Sequence, residues 1–490
     1  MVRHEEPSVY GGVGLWNVGL RAGKELGIKG IKMKENRNKT NLKYNVWQAV
    51  SPMKLILGGY LTIILIGTAL LMLPVSTKGA GSSSLSDCFF TATSATCVTG
   101  LVRFDTFTHW TTFGQLVILG LIQIGGIGFM TVAILVLVLT KKKIHLSQRS
   151  LMQNSISAPQ IGGIVRMTKF IALGTFLIEG IGAVLLCFDF IPRFGIGRGI
   201  YFSVFHSVSA FCNGGFDLMG GTTGEFSSLT GMAGNWYVCT VIMLLIFVGG
   251  LSFFVWHDLL TQKFRWKRLK LQSKMVLSIS VSLVLIGALV LALLEWNRAD
   301  YAGLAVGEKV TASFFQSVSA RTAGFNTVDL TGMSEGGIFV MICLMFIGGS
   351  TGSTAGGIKT TTFWILCISI LATFRRKKNI EMFGRRMEEG ITRTASCVFM
   401  TYLLLTAVVS VILSALEDLP LLTALFESVS AMATVGLTLG VTPGLGMVSK
   451  LLLAFLMLCG RVGSITMLLA FSSEKRVTNS RLPLEKVQVG

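Results

Sequence analysis

The sequence predicts an all-α polytopic membrane protein: four parallel helix–pore-loop–helix repeats around a central pore, with eight spanning helices and four half-membrane pore helices. Three observations carry this prediction. Charged residues are scarce, at 14% of 490. Long uncharged apolar blocks recur along the chain. One glycine-terminated motif occurs four times at near-constant spacing.

A soluble domain carries roughly 25% charged residues. Here the hydrophobic share is 51% and the mean hydropathy is +0.68, a composition suited to lipid. Residues 55–75, 110–140, 237–256, 275–294 and 397–416 hold no charge at all. A helix needs about 20 apolar residues to cross the hydrocarbon core. The net charge of +19 would suit nucleic acid if it were gathered on a folded soluble face. It is instead dispersed in short runs after apolar blocks, at residues 141–143, 263–270, 375–378, 385–386 and 475–476. That is the positive-inside pattern of cytoplasmic loops, and it argues against a nucleic-acid partner.

Residues 1–50 are polar and basic. They lack the apolar core and cleavage site of a signal peptide and read as a cytoplasmic arm, either disordered or partly helical on the anionic leaflet. The nine cysteines form no C-x-x-C pair, so they read as small buried hydrophobes.

The four motifs are Phe90-Thr-Ala-Thr-Ser-Ala-Thr-Cys-Val-Thr-Gly100-Leu101, Phe205-His-Ser-Val-Ser-Ala-Phe-Cys-Asn-Gly-Gly215-Phe216, Phe315-Gln-Ser-Val-Ser-Ala-Arg-Thr-Ala-Gly324-Phe325 and Phe426-Glu-Ser-Val-Ser-Ala-Met-Ala-Thr-Val-Gly436-Leu437. Successive final glycines are 115, 109 and 112 residues apart. Each motif lies between two apolar blocks and is too short to span. The units therefore divide as 51–145, 146–265, 266–378 and 379–475, with a tail at 476–490. Basic runs follow the second helix of each unit. Both ends of every unit are then cytoplasmic, the hairpins face outward, and the repeats share one orientation about an axis along the membrane normal.

Non-helical backbone at membrane depth survives only where protein buries it or where it lines a wet path. Four hairpins entering from one side can meet on an axis and present carbonyls to a dehydrated cation. Glycine suits such a turn because it accepts positive φ. The candidate filter is Cys97, Val98, Thr99 and Gly100; Asn213, Gly214 and Gly215; Thr322, Ala323 and Gly324; and Thr434, Val435 and Gly436. Carbonyls at Gly100, Gly215, Gly324 and Gly436 are the expected cation ligands. The plainer alternative, glycines that let helices pack closely, suits pairs such as Gly125-Gly126 and Gly249-Gly250. It does not account for a four-fold motif with matched flanks.

These segments, including Cys-Asn-Gly-Gly-Phe-Asp at 212–217 and Arg-Thr-Ala-Gly-Phe-Asn-Thr at 321–327, resemble the Trk/Ktr/HKT superfamily of potassium transporters. The eight-helix type with a KtrB-type membrane subunit is the nearer match, because the N-terminal extension is polar. The resemblance covers roughly residues 52–471. It implies a homodimer in the cell membrane with one pore per subunit, surrounded by membrane lipid. It also implies a cytosolic regulatory ring of the KtrA type, with nucleotide bound only on that partner. Potassium is the transported ion it implies, and sodium as an activator stays open. In this family glycine at all four filter positions accompanies potassium preference, and serine in the first repeat accompanies sodium.

The third repeat carries the tract 346–360, with Gly348, Gly349, Ser350, Thr351, Gly352, Ser353, Thr354, Gly356, Gly357 and Lys359. Its five glycines cannot hold a regular helix, and no counterpart is expected in the other repeats. The sequence supports a flexible interruption lining a wet path. The resemblance makes it a gating loop below the filter. The tract nearly spells a phosphate-binding P-loop, but Ile358 separates glycine from lysine and no strand precedes it. Arg461 is the one charge in residues 451–471. A mid-helix charge must face protein or water. Matched to the family's Cys-Gly-Arg-Val/Ile-Gly motif, Arg461 is expected to face the pore and contact the tract near residues 352–356. Glu179 reads as a partner-satisfied structural acid. His206 and Glu427 read as capping or interhelical hydrogen-bonding groups, and Arg321 as pointing away from the axis to brace its hairpin.

Three function classes follow: a channel-like potassium transporter, an alternating-access cation carrier, and a membrane enzyme. The carrier class calls for broken helices in paired repeats, and only the third repeat reads as broken. The enzyme class lacks any HExxH, Ser/His/Asp set or clustered histidines.

Overall fold

The computed structural model describes residues 52–79, 83–128, 131–132, 163–377, 379–388 and 390–463. The expectations for the arm 1–50, the basic runs 141–143 and 475–476 and the tail 476–490 lie outside them. The described residues all belong to one of the two compact units into which the chain divides.

Four times along the chain a long helix precedes a short buried helix, a turn and a second apolar helix. The first set is α1 (Pro52–Leu71), α2 (Leu85–Cys97) and α3 (Thr112–Ile127). The second is α4 (Ile164–Phe194), α5 (Ile196–Cys212), α6 (Trp236–Gly250) and α7 (Phe253–Thr261). The third is α8 (Leu271–Glu295), α9 (Val306–Ser319), α10 (Glu335–Phe346) and α11 (Thr360–Phe374). A two-stranded hairpin, β1 (Glu381–Met382) and β2 (Arg385–Arg386), leads to α12 (Ile391–Glu417), α13 (Leu421–Met432) and α14 (Met447–Val462). On the long helices Leu65, Leu173, Leu293 and Leu404 stand 61–74% exposed, as a lipid-facing surface requires.

Capping explains where the second helices begin. Thr111, Asn235 and Ser334 accept amide hydrogens from the first turns of α3, α6 and α10. An acid near the C-terminal end of the preceding long helix then steadies the start of the second helix. Asp189 accepts from Asn235 Nδ2 at 2.8 Å. Glu295 accepts from Ser334 Oγ at 2.5 Å and from its amide. Glu417 accepts from Gly446 N at 2.8 Å and from Ser449 Oγ. A negative charge beside a helix N-terminus is favourable.

Each short helix lies against the long helix before it. A Cβ at Gly182 would lie 2.5 Å from Ser207 Oγ, and that hydroxyl donates to Glu179 O at 2.6 Å. Gly287 gives the same close approach to Ser317, whose hydroxyl donates to Val284 O at 2.9 Å. The first serine of Ser-Val-Ser-Ala is thus a helix-to-helix fastener in repeats two and three.

A pair recurs at or just past the end of the second helix of each set: Gly125-Gly126 and Gly249-Gly250, which were expected to be packing glycines, Gly348-Gly349 of the tract, and Gly460-Arg461. A Cβ at Gly125, Gly249 or Gly460 would overlap the carbonyl oxygen of Thr96, Phe211 or Met432, at or beside the last residue of the short helix of the same repeat. The helices end near these pairs, α3 at Ile127, α6 at Gly250 and α14 at Val462, while α10 ends at Phe346, before Gly348. Gly128 and Gly463 take φ of +87° and +95°, and α6 meets α7 at a 94° bend. The expectation that only the third repeat is interrupted is therefore corrected. Four described helices are long and apolar enough to span, and the bent pair α6–α7 is either a fifth, broken span or a re-entrant loop.

First and last repeats meet at a buried ion pair. Lys450 Nζ on α14 lies 2.5 Å from Asp87 Oδ1 on α2, and Arg103 Nε lies 3.7 Å away. Burial alone would raise the Asp87 carboxyl, but hydrogen bonds from Lys450 and Ser84 and the nearby cations hold it below its ordinary value. Its contribution is present at neutral pH and is lost as pH falls through that depressed value.

The overlap at the second-helix glycines yields a packing test. Gly249→Ala should destabilise the protein by at least about 2 kcal/mol, because a carbonyl cannot move aside like a side chain. Gly120→Ala, where a Cβ meets nothing within 4 Å, should change stability by no more than about 1 kcal/mol. Thermal midpoints of both variants in detergent measure the difference. Equal midpoints would show that the close approach is not needed.

Candidate functional site

The C-termini of α2, α5, α9 and α13 point their partly negative ends toward one place, where the chain leaves each helix through a left-handed residue. Val98, Asn213, Thr322 and Thr434 take φ of 57°, 60°, 80° and 52°. Two residues later Gly100, Gly215, Gly324 and Gly436 take φ of 94°, 68°, 83° and 94°. Branched side chains such as Val98 pay about 1–2 kcal/mol for that conformation. Such outliers gather where geometry is functional.

The four glycines close a ring. A Cβ on Gly100 would lie 2.7 Å from Gly214 O, and one on Gly215 would lie 2.8 Å from Ala323 O. A Cβ on Gly324 would overlap Val435 O, and one on Gly436 would overlap Thr99 O. Every glycine thus abuts the carbonyl just before the next glycine, in the order one, two, three, four and back to one. No side chain fits at any of the four positions.

One serine of each motif, the single serine of the first and the second serine of the other three, props its turn. Ser94 Oγ accepts from Gly100 N and Ser430 Oγ accepts from Gly436 N, both at 3.1 Å. Ser209 Oγ accepts from Phe216 N at 3.1 Å, and Ser319 Oγ donates to Phe325 O. The Asn213 amide meets Thr322 Oγ1 at 3.1 Å, tying the second turn to the third. Cys97 is the last residue of α2 and is fully buried.

The tract 346–360 folds back on itself, with Ile347 bridged to Ile358. Hydrogen bonds hold it against the α6–α7 break. Ser350 N donates to Gly250 O at 3.1 Å, Thr354 Oγ1 donates to Gly249 O at 2.8 Å, and Phe253 N donates to Gly352 O at 2.9 Å. Within the tract, Ser353 Oγ donates to Ser350 O at 2.7 Å and Thr360 N donates to Gly349 O at 3.1 Å. Thr351 Oγ1 pairs with Thr361 Oγ1 at 3.2 Å, and Lys359 Nζ donates to Ala355 O at 2.8 Å. A Cβ on Gly348 would overlap Gly356 O, and one on Gly356 would overlap Thr434 Oγ1 of the fourth turn. Gly357, at φ 72°, sits beside Ala433. Hydrogen bonds thus hold the tract both within itself and against α6 and α7.

Arg461 stands where the other second helices have their second glycine. Its guanidinium donates to Thr354 O of the tract, to Gly125 O, and to Gly126 O at 3.0 Å. No carboxylate pairs with it among the described residues. Arg321 donates to Ser280 O at 3.1 Å and Ser280 Oγ at 3.2 Å, so it braces the hairpin as expected. Glu179 accepts from Gln123 Nε2 at 3.0 and 3.1 Å and from Cys212 Sγ at 3.5 Å, a satisfied structural acid.

A cavity of about 370 Å³ opens onto Gly324 and Gly436, with Glu225 and Asp329 in its wall. Sequence reasoning missed both acids. The available signal was length: 34 residues separate Gly215 from Gly249, against 25, 24 and 24 in the other repeats. The extra residues lie over this cavity. Phe226 N donates to Asp105 Oδ2 at 3.2 Å and Leu229 N donates to Asn326 O at 3.0 Å.

The sequence profile of the TrkH family, described as a cation transport protein, matches residues 60–479. The chain is 39% identical over 457 residues to the potassium/sodium uptake protein NtpJ of Enterococcus hirae, covering 92% of this chain and 100% of that one. It is 39% identical over 445 residues to the Ktr system potassium uptake protein B of Bacillus subtilis, covering 91% and 98%. The solved structure of the potassium transporter TrkH from Vibrio parahaemolyticus matches with a TM-score of 0.65 over 84% of each chain at 19% identity, a likeness of fold. These relatives are uptake proteins, not enzymes. Together with its apolar helices, they make this a multi-pass membrane protein. The chain belongs to the TrkH family of cation transport proteins.

Proposed function

We propose that the ring of four turns is the potassium filter of a channel-like uptake pore, and that the tract 346–360 with Arg461 gates it. The observation that carries the reading is the closed cycle in which each glycine abuts the next repeat's carbonyl. Such a ring can replace an ion's water with carbonyl oxygens. The residues offering them are 97–100, 213–215, 322–324 and 434–436. The tract lies against Thr434, and Arg461 spans it and α3, so a cation path through the ring would meet a plug and a positive charge. Glu225 and Asp329 give the cavity over Gly324 and Gly436 a sign that attracts cations.

In this reading the repeats divide at 51–145, 146–265, 266–378 and 379–475, the hairpins face outward, and both termini are cytoplasmic. The chain works as a homodimer in the cell membrane with a nucleotide-binding ring of the KtrA type. Bacillus subtilis Ktr system protein B, named as part of a system, favours such a partner. NtpJ, named for potassium and sodium, makes sodium the competitor to measure. The 94° bend in α6–α7 and the break between α10 and α11 favour a second reading, an alternating-access carrier. Single-channel recording separates the two, because a carrier cannot pass channel-sized unitary currents.

Selectivity is testable at Gly100, where a side chain would face Gly214 O. Gly100→Ser should weaken potassium affinity about ten-fold, or about 1.4 kcal/mol, and relax discrimination against sodium. Uptake kinetics for both ions provide the check, and an unchanged preference would remove Gly100 from the filter.

The gate predicts the opposite sign of effect. Arg461→Ala should raise potassium flux at least about three-fold, because a positive charge leaves the cation path. Deleting residues 352–356 should raise flux and blunt control by the regulatory partner. Initial flux per folded dimer in liposomes measures both, with and without partner. A folded deletion variant with wild-type flux and regulation would falsify the gate.

A further inference from the structure

One position on the short helices remains unused by the account so far. It lies nine residues before the ring glycine in repeats one, two and four and eight before it in repeat three. It holds Thr91, His206, Gln316 and Glu427. All four are at most 2% exposed. Their environments differ in alternation around the ring.

In repeat two, His206 Nδ1 lies 2.8 Å from Phe202 O. Only a nitrogen that carries hydrogen can make that bond, which leaves Nε2 as the acceptor in the neutral ring. Leu218 N donates to Nε2 at 3.3 Å. In repeat four, Glu427 accepts from Leu439 N at 3.0 Å, from Thr438 Oγ1 at 2.5 Å and from Thr442 Oγ1 at 2.8 Å. Leu218 and Leu439 each stand three residues beyond their ring glycine. Each of these strands is therefore fastened twice to its own short helix, by a serine at the turn and by His206 or Glu427 three residues on. In repeats one and three, Thr91 Oγ1 and both polar side-chain atoms of Gln316 make no hydrogen bond among the described residues. Those two strands lack a fastening of this kind: the first has Arg103 3.7 Å from Asp87 on α2, and at the third Asn326 N donates to Ser228 Oγ at 3.3 Å and Asn326 O accepts from Leu229 N at 3.0 Å.

Because the ring runs one, two, three, four, the strands whose amides are held by His206 and Glu427 face each other across it. We propose that His206 and Glu427 are positioning residues that fix two opposite walls of the ring, and that cation discrimination depends on them while Thr91 and Gln316 do not contribute to it. The inference rests on the filter reading. Discrimination by carbonyls depends on how many there are and how firmly they are held. Glu427 spends both carboxylate oxygens on internal donors, so its part is to hold backbone rather than to bind the ion.

The test is the ratio of apparent potassium to sodium affinity, measured with the maximal uptake rate, for purified full-length protein in liposomes. Glu427→Ala should reduce the ratio at least about five-fold through the loss of a charge-assisted amide bond. Glu427→Gln removes the charge but keeps an oxygen for Leu439 N, and should recover most of the ratio. If Glu427 acted by attracting cations, Gln and Ala would be equally impaired, and that result overturns the proposal. Thr91→Ala and Gln316→Leu should hold the ratio within about two-fold; a loss there equal to that in Glu427→Ala also overturns it. Should Glu427→Ala fail to fold, Glu427→Asp and His206→Ala carry the comparison, and a folded Glu427→Asp with the wild-type ratio counts against the proposal. Gly436→Ala is the control for the filter itself. If it leaves the ratio unchanged, the filter reading fails. If it alters the ratio and Glu427→Ala does not, only the positioning role fails.

Discussion

Four backbone turns must close on one another without a side chain between them. That single steric constraint organises the rest of the molecule. Gly100, Gly215, Gly324 and Gly436 each press against the carbonyl that precedes the next glycine, so none can carry a Cβ and all take positive φ. A turn of this kind inside an apolar protein has no regular ladder to satisfy it. Ser94, Ser209, Ser319 and Ser430 take that role in the four repeats. The short helices are placed by the same demand, since their last turns lead directly into the ring.

A second layer of glycines supports the first. Gly125, Gly249 and Gly460 let their helices approach the carbonyls at the ends of the short helices. In the third repeat the tract takes the place of that contact, with Gly348 against Gly356. Arg461 replaces the second glycine of the fourth pair, and its guanidinium reaches carbonyls of the tract and of α3. An arginine without a carboxylate is costly inside a membrane. Here carbonyl oxygens satisfy it, which links the first repeat, the tract and α14 through one side chain.

Much of this was legible in the sequence because a repeat reports itself. Gly100, Gly215, Gly324 and Gly436 stand out by spacing and by matched flanks, and Arg461 stands out as a lone charge in an apolar block. Other parts were not legible, for physical reasons. Gly-Gly pairs also serve ordinary helix packing, so Gly125-Gly126 and Gly249-Gly250 looked incidental until their contacts to Thr96 and Phe211 were seen. The break at Leu251 and Ser252 lies in continuous apolar sequence, and hydropathy does not register a bend. Asp189, Glu295 and Glu417 recur near the C-terminal ends of α4, α8 and α12, but irregular loop lengths hide their correspondence. The different partners of Thr91, His206, Gln316 and Glu427 depend on where strands beyond the ring run, which only coordinates reveal.

The most direct measurement is the position of a permeant heavy cation in the folded protein. Crystals grown or soaked in rubidium or thallium would locate it by anomalous scattering. The account predicts a peak on the axis of the ring, within coordinating distance of the carbonyls of residues 97–100, 213–215, 322–324 and 434–436. Peaks found only away from the ring, for example between the tract and the α6–α7 bend, would contradict it.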